Sequence, residues 1–88
     1  MTSTDVTLRH EAGLHARPAA LFVKAASRYS SAITVRFGEK QANAKSIIQV
    51  LGLGARQGAT ITISADGADE AEAVAALSAL AGGDFGAE

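Results

Sequence analysis

The chain has no cysteine and no tryptophan, one proline, three phenylalanines and one tyrosine in 88 residues. Each scarcity closes off a class of protein. Without cysteine there is no disulfide scaffold and no thiolate metal site, which fits a reducing compartment. So few aromatics leave little from which to build a base-stacking platform. Eight Lys and Arg against nine Asp and Glu give a formal net charge of −1, so the strong basic footprint of a general nucleic-acid binder is missing. No apolar run approaches the roughly 20 residues that span a bilayer. The first residues, Met1-Thr2-Ser3-Thr4-Asp5, are not a basic region followed by an apolar one. The expectation is a soluble, cytoplasmic, single domain over residues 1–88, with no nucleic-acid partner and no membrane insertion. A chain of this length buries roughly 60–65% of its unfolded surface, enough for one modest core.

What is present is a clear alternation of periods. Val6 and Leu8 alternate with Asp5, Thr7 and Arg9, the period of two of a half-buried strand. Glu11-Ala12-Gly13 breaks it. Ala19, Phe22, Ala26 and Tyr29 then recur at helical spacing, opposite a polar strip of Lys24 and Arg28. This predicts a helix from about Ala16 to Arg28. Ser30-Ser31 turns the chain. Ile33, Val35 and Phe37 mark a second strand, Gly38-Glu39 a hairpin tip, and Lys40 to Ala44 a third strand. Ser46 opens a short helix to about Leu53, and Gln49 three residues on completes a capping box in sequence. Thr60-Ile61-Thr62-Ile63-Ser64 is a fourth strand. Asp66-Gly67 turns, and Asp69, Glu70 and Glu72 load the start of a last helix whose apolar stripe is Val74, Leu77, Leu80 and Ala81. Residues 82–88 read as a flexible tail. The order β-α-β-β-α-β-α is that of an α+β domain, an antiparallel sheet with helices on one face and water on the other.

The chemistry concentrates in Gly13-Leu14-His15-Ala16-Arg17-Pro18. His15 falls where a helix begins. The start of a helix offers backbone N–H groups without helical partners and the positive end of a dipole. Arg17 adds a permanently charged fork for phosphate oxygens. Pro18 suits a first turn, where its missing N–H has no helical partner to lose. Such a segment can make a phosphoryl-accepting imidazole, and it can equally be a surface cap beside an ordinary cation. His10 reads as an exposed strand-end histidine, because no acidic or cysteine cluster joins it to make a metal site. No cofactor and no metal are expected.

Three segments together resemble the HPr family of the phosphoenolpyruvate-dependent sugar phosphotransferase system. Gly13-Leu14-His15-Ala16-Arg17-Pro18-Ala19 is similar to its active-site segment, and Ala44-Lys45-Ser46-Ile47-Ile48 to its regulatory-serine segment. Leu53-Gly54, Gly58 and Ile61-Thr62-Ile63-Ser64-Ala65-Asp66-Gly67 are similar to its last strand and turn. The resemblance implies an open-faced β-sandwich, four antiparallel strands with three helices on one face.

The resemblance also implies roles. His15 would take a phosphoryl group on Nδ1 from enzyme I and pass it to enzyme IIA domains. The protein would be a carrier, without turnover of its own. The amides of Ala16 and Arg17 and the Arg17 side chain would hold the phosphoryl oxygens. Ile47, Ile48 and Leu51, rimmed by Ala20, Arg17 and Lys24, would form an apolar docking patch. Ser46 would be a helix N-cap and, as in regulated relatives, the target of an HPr kinase/phosphorylase. Ile47-Ile48-Gln49 departs there from the Ile-Met-Gly of the best-known regulated members. The working unit is expected to be a monomer. Three alternatives stand beside this reading, a carrier of the nitrogen-regulatory branch, a regulatory module that binds without carrying phosphate, and a plain α+β ligand-binding domain.

Overall fold

The computed structural model describes residues 1–8 and 16–83, with the backbone alone at residues 16–18. Seven elements follow in the expected order. They are β1 (Thr2–Thr7), α1 (Ala16–Ala26), β2 (Ala32–Phe37), β3 (Lys40–Asn43), α2 (Ile47–Gly52), β4 (Thr60–Asp66) and α3 (Glu70–Gly82). The four strands form one antiparallel sheet in the order β1-β4-β2-β3.

Strict alternation along the strands divides the sheet into a wet and a dry face. Ile33 and Val35 of β2, Ala42 of β3 and Ile61, Ile63 and Ala65 of β4 are buried. The residues between them, such as Ser3, Asp5, Arg36, Gln41 and Asn43, are exposed. On the dry face lie Ala19, Phe22 and Ala26 of α1, Val50 of α2, and Ala73, Val74, Leu77 and Ala81 of α3. A helix is held to the sheet by such a stripe more than by its own propensity. Central β4 pairs with both β1 and β2, for example Val6 with Ile61 and Val35 with Ile63. The Leu8 N–H also donates to the Ala59 carbonyl and the Gly58 N–H to the Leu8 carbonyl, each at 2.8 Å. That fastens the loop before β4 to Leu8, just after β1.

Several boundaries differ from the sequence reading. β1 begins at Thr2 because Thr2 and Thr4 pair with Ala65 and Ile63, which the alternation in β1 alone does not announce. α1 ends at Ala26, not Arg28. The Arg28 and Tyr29 N–H groups bond to Ala25 and Ala26 carbonyls, three residues back, the tightened turn with which helices often close. α3 continues through Gly82, so the expected tail cannot start there. A Cβ on Gly82 would lie 3.1 Å from Val6 Cγ2, so the small residue lets α3 approach β1. Residues 84–88, the rest of that tail, lie outside the described residues.

Two carboxylates fasten the start of α3. Asp69 occupies the N-cap position but makes no side-chain cap bond to its own helix. Its carboxylate instead accepts the Ser30 N–H at 2.9 Å, the Ser31 N–H at 3.0 Å and the Ser31 hydroxyl. Buried Ser31 is thereby satisfied, and the chain entering β2 is pinned to α3. Gly67 sits against the same point, where a Cβ would lie 2.7 Å from Ser31 Cα. Glu70 accepts from the Thr2 hydroxyl at 2.5 Å and the Gly67 N–H at 3.2 Å, and pairs with the Met1 ammonium at 3.0 Å.

Both carboxyls titrate low. The Ser31 hydroxyl and the Ser30 amide hold Asp69 at about 2, from an ordinary 3.8. The Thr2 hydroxyl and the Gly67 amide hold Glu70 at about 2, from 4.5. A folded-state value below the unfolded one means stability fully present above the ordinary carboxylate range and lost as pH falls through the folded value. Urea midpoints should therefore fall steadily between pH 5 and about pH 2. Asp69→Asn should flatten part of that decline and lower the midpoint at pH 7.

Candidate functional site

The residues proposed for the site fall on α1, on α2 and on the segment before α1, and the structure describes the first two. His15 lies outside the described residues, as does His10. α1 starts directly after His15, and the backbones of Ala16, Arg17 and Pro18 form its first turn. The N–H groups of a first turn have no partner within the helix, and an 11-residue helix directs its positive end toward whatever precedes it. Farther along α1, Ala19 and Phe22 face the core while Ala20 and Lys24 are exposed.

α2 packs on both α1 and β3. It is six residues long, less than two turns, and its buried contribution is Val50. Leu53, just beyond its end, is also buried, and Gly54 follows at φ 67°, the left-handed backbone with which glycine closes helices. Ile47, Ile48 and Leu51 are 37%, 79% and 39% exposed. Three large aliphatic side chains facing water on one short helix form an apolar patch beyond what scattered surface hydrophobes explain. Among the described residues, no helix is long and apolar enough to cross a membrane.

Ser46 caps α2 from an extended backbone, φ −115° and ψ 112°. Its Oγ accepts the Gln49 N–H at 3.4 Å, a long bond. The reciprocal half of the expected capping box is different. The Gln49 side chain does not return to the Ser46 amide, which donates to the Asn43 carbonyl at 3.0 Å. Gln49 Oε1 instead accepts the Asn43 N–H at 2.9 Å. The turn from Asn43 to Ser46 uses up the cap amide, so the glutamine reaches the end of β3. Beside it, Lys45 Nζ donates to the Tyr29 carbonyl at 2.6 Å, tying α2 to the chain leaving α1. Neither tether can be read from sequence, because each joins residues brought together by the packing of α2.

Charge is distributed unevenly. Asp66, Asp69, Glu70 and Glu72 gather around the β4–α3 connection, while Lys24 and Arg28 lie on or just after α1. The α1–α2 side thus combines the start of α1, the exposed cations Lys24 and Arg28 and an apolar patch.

Residues 2–82 match the family described as PTS-HPr, PTS HPr component phosphorylation site. The chain is 52% identical over 80 residues to phosphocarrier protein HPr of Haemophilus influenzae, covering 91% of this chain and 94% of that one. Its fold is similar to the crystal structure of an HPr from Thermoanaerobacter tengcongensis, with a TM-score of 0.95, 46% identity, and coverage of 100% and 99% of the two chains. An HPr dimer from the same organism matches with a TM-score of 0.72 and 48% identity, over 91% and 92% of the chains.

The exposed and buried sides of α2 should respond differently to substitution. Ile48→Ser should change unfolding free energy by less than about 0.5 kcal/mol. Val50→Ala should cost about 2 kcal/mol, from lost burial and the cavity left behind. Urea titrations of the two variants measure both.

Proposed function

The chain belongs to the HPr family of phosphocarrier proteins of the phosphotransferase system, and from that premise we propose that His15 is the residue that carries the phosphoryl group. The observation that supports this most is the match to the family's phosphorylation-site description over residues 2–82, with the His15-Ala16-Arg17-Pro18 motif leading directly into α1. In this reading a bond forms between His15 Nδ1 and phosphorus while the bond that held the group on enzyme I breaks. A second transfer then moves it to an enzyme IIA domain, in service of sugar uptake.

The physical logic is that of a holder that must also release. A neutral imidazole is nucleophilic near pH 7, since its ordinary pKa is about 6.5. The positive end of α1 disfavours protonation of the free ring and favours the dianionic group once it arrives. The amides of Ala16 and Arg17 and the Arg17 guanidinium supply donors, whereas Pro18 has no N–H to give. The patch of Ile47, Ile48 and Leu51, with Ala20 and Lys24 near its rim, gives the partners a modest surface that dissociates quickly. Phosphorylation of Ser46 by an HPr kinase/phosphorylase would add about two negative charges at this face and repel acidic partners.

Labelled phosphoenolpyruvate, Mg²⁺ and enzyme I should give the protein an acid-labile, base-stable label that His15→Ala abolishes. Arg17→Ala should slow acceptance about tenfold to a hundredfold, the worth of a charge-assisted bond to phosphate. Acceptance should also slow at acid pH, as the His15 ring becomes protonated at a pH below its ordinary range of about 6.5. Absence of label with a competent enzyme I would sink the carrier role of His15. The carrier works as a monomer in this proposal, so light scattering at assay concentration should return a mass near 8.9 kDa.

A further inference from the structure

The wet face of the sheet, opposite the three helices, carries a polar trough. Two neighbouring rows of paired residues cross the strands there. One row is Ser3, Ser64, Thr34 and Asn43, and the next is Asp5, Thr62, Arg36 and Gln41. The short hydroxyl side chains of the first row make a floor, and the longer Arg36 and Gln41 rise beside it. With Met1 and Thr62 they line a cavity of about 330 Å³, at the small end of the roughly 300–1,000 Å³ range of small-molecule clefts. Opposite charges facing each other across strands stabilise a sheet, yet Arg36 faces neutral Gln41 and Thr62. Among the described residues its guanidinium has no ion pair and no hydrogen bond, and the side chains of Ser3, Thr34, Gln41 and Ser64 have no hydrogen bond. The two carboxylates on the strands of this face are engaged elsewhere. Asp5 accepts the Thr62 hydroxyl at 2.7 Å, and Asp66 lies 3.9 Å from the Met1 ammonium.

We propose that this trough binds the phosphate monoester of a small polyol, the phosphate on Arg36 and the polyol on the hydroxyls and the amide around it. The guanidinium is a permanently charged fork that meets two phosphate oxygens at once. The Ser64 and Thr34 hydroxyls stand in the next row of the sheet and can donate to further phosphate oxygens. Ser3 and Gln41 complete the lining with groups that both donate and accept, as the hydroxyls of a polyol do. An apolar or flat aromatic ligand would leave those groups without partners and has no aromatic ring here to stack on. A single guanidinium with no carboxylate in the lining selects one anionic group over a cation. The site uses no residue of α1 or α2 and is independent of the carrier reading of His15.

The experiment titrates the full chain, in a buffer free of phosphate, with ribose 5-phosphate, ribose and inorganic phosphate, and follows backbone amide shifts by NMR. Ribose 5-phosphate should shift the amides of Thr34, Arg36 and Ser64 along saturable curves. Inorganic phosphate should bind several-fold more weakly, and ribose should leave those amides in place. Arg36→Gln should weaken binding about tenfold to a hundredfold, the worth of a charge-assisted hydrogen bond. Arg36→Lys, which keeps the charge and loses the fork, should fall between, and Ser64→Ala should cost about fivefold. Lys40→Gln makes the same charge change on β3 outside the trough and should bind as the parent does. Unchanged urea midpoints verify that each variant is folded, and enzyme I-dependent labelling should be the same in all of them. No saturable shift on β2 and β4, or equal affinity for inorganic phosphate and ribose 5-phosphate, would overturn the site. So would an equal loss in Lys40→Gln and Arg36→Gln, which would reduce the effect to net charge.

Discussion

A four-stranded sheet with one apolar face can be stabilised only by covering that face, and in this chain every helix is spent on doing so. Ile33, Val35, Ile61 and Ile63 present the dry side, and α1 and α3 lay full apolar stripes across it. α2, with six residues, has room for one buried side chain and for the buried Leu53 that follows it. The rest of its aliphatic surface has nowhere to go. The apolar patch of Ile47, Ile48 and Leu51 is thus a consequence of geometry as much as of composition. A helix this short cannot turn all its hydrophobes inward, so Ile47, Ile48 and Leu51 stay exposed.

The polar fastenings fall into two groups with different consequences. At the β4–α3 connection, Asp69 and Glu70 gather donors from Ser30, Ser31, Thr2 and Gly67. These bonds span from the second residue of the chain to the start of the last helix and close the fold. At the α1–α2 side the bonds of Lys45 and Gln49 are made by half-buried or exposed side chains. They hold a local turn at the surface.

Much of the architecture was legible because strand burial here is strictly alternating. Ile61 and Ile63 between Thr60, Thr62 and Ser64 admit one register, and Ala19, Phe22 and Ala26 define one helix face. Ends of elements were less legible. Thr2 and Thr4 join β1 through pairing with β4, which no local pattern in six polar-rich residues specifies, and Gly82 is helical because α3 closes against Val6. For the site, Ser46 as a cap followed from residue type and position. His15 and Arg17 were singled out by the motif and by family resemblance, and their side chains lie outside what the structure describes.

Sequence alone determined what depends on neighbours along the chain. The order of elements, the inward faces of the strands and helices, the cap at Ser46 and the family motif around His15 are all of that kind, because periodicity and capping act over a few residues. Tertiary structure decided the strand order β1-β4-β2-β3, the commitment of Asp69 to Ser31 instead of its own helix, and the reach of Gln49 to Asn43. Each of these is a choice among partners distant or sterically competing, and it is settled by which surfaces the packed core brings within hydrogen-bonding distance.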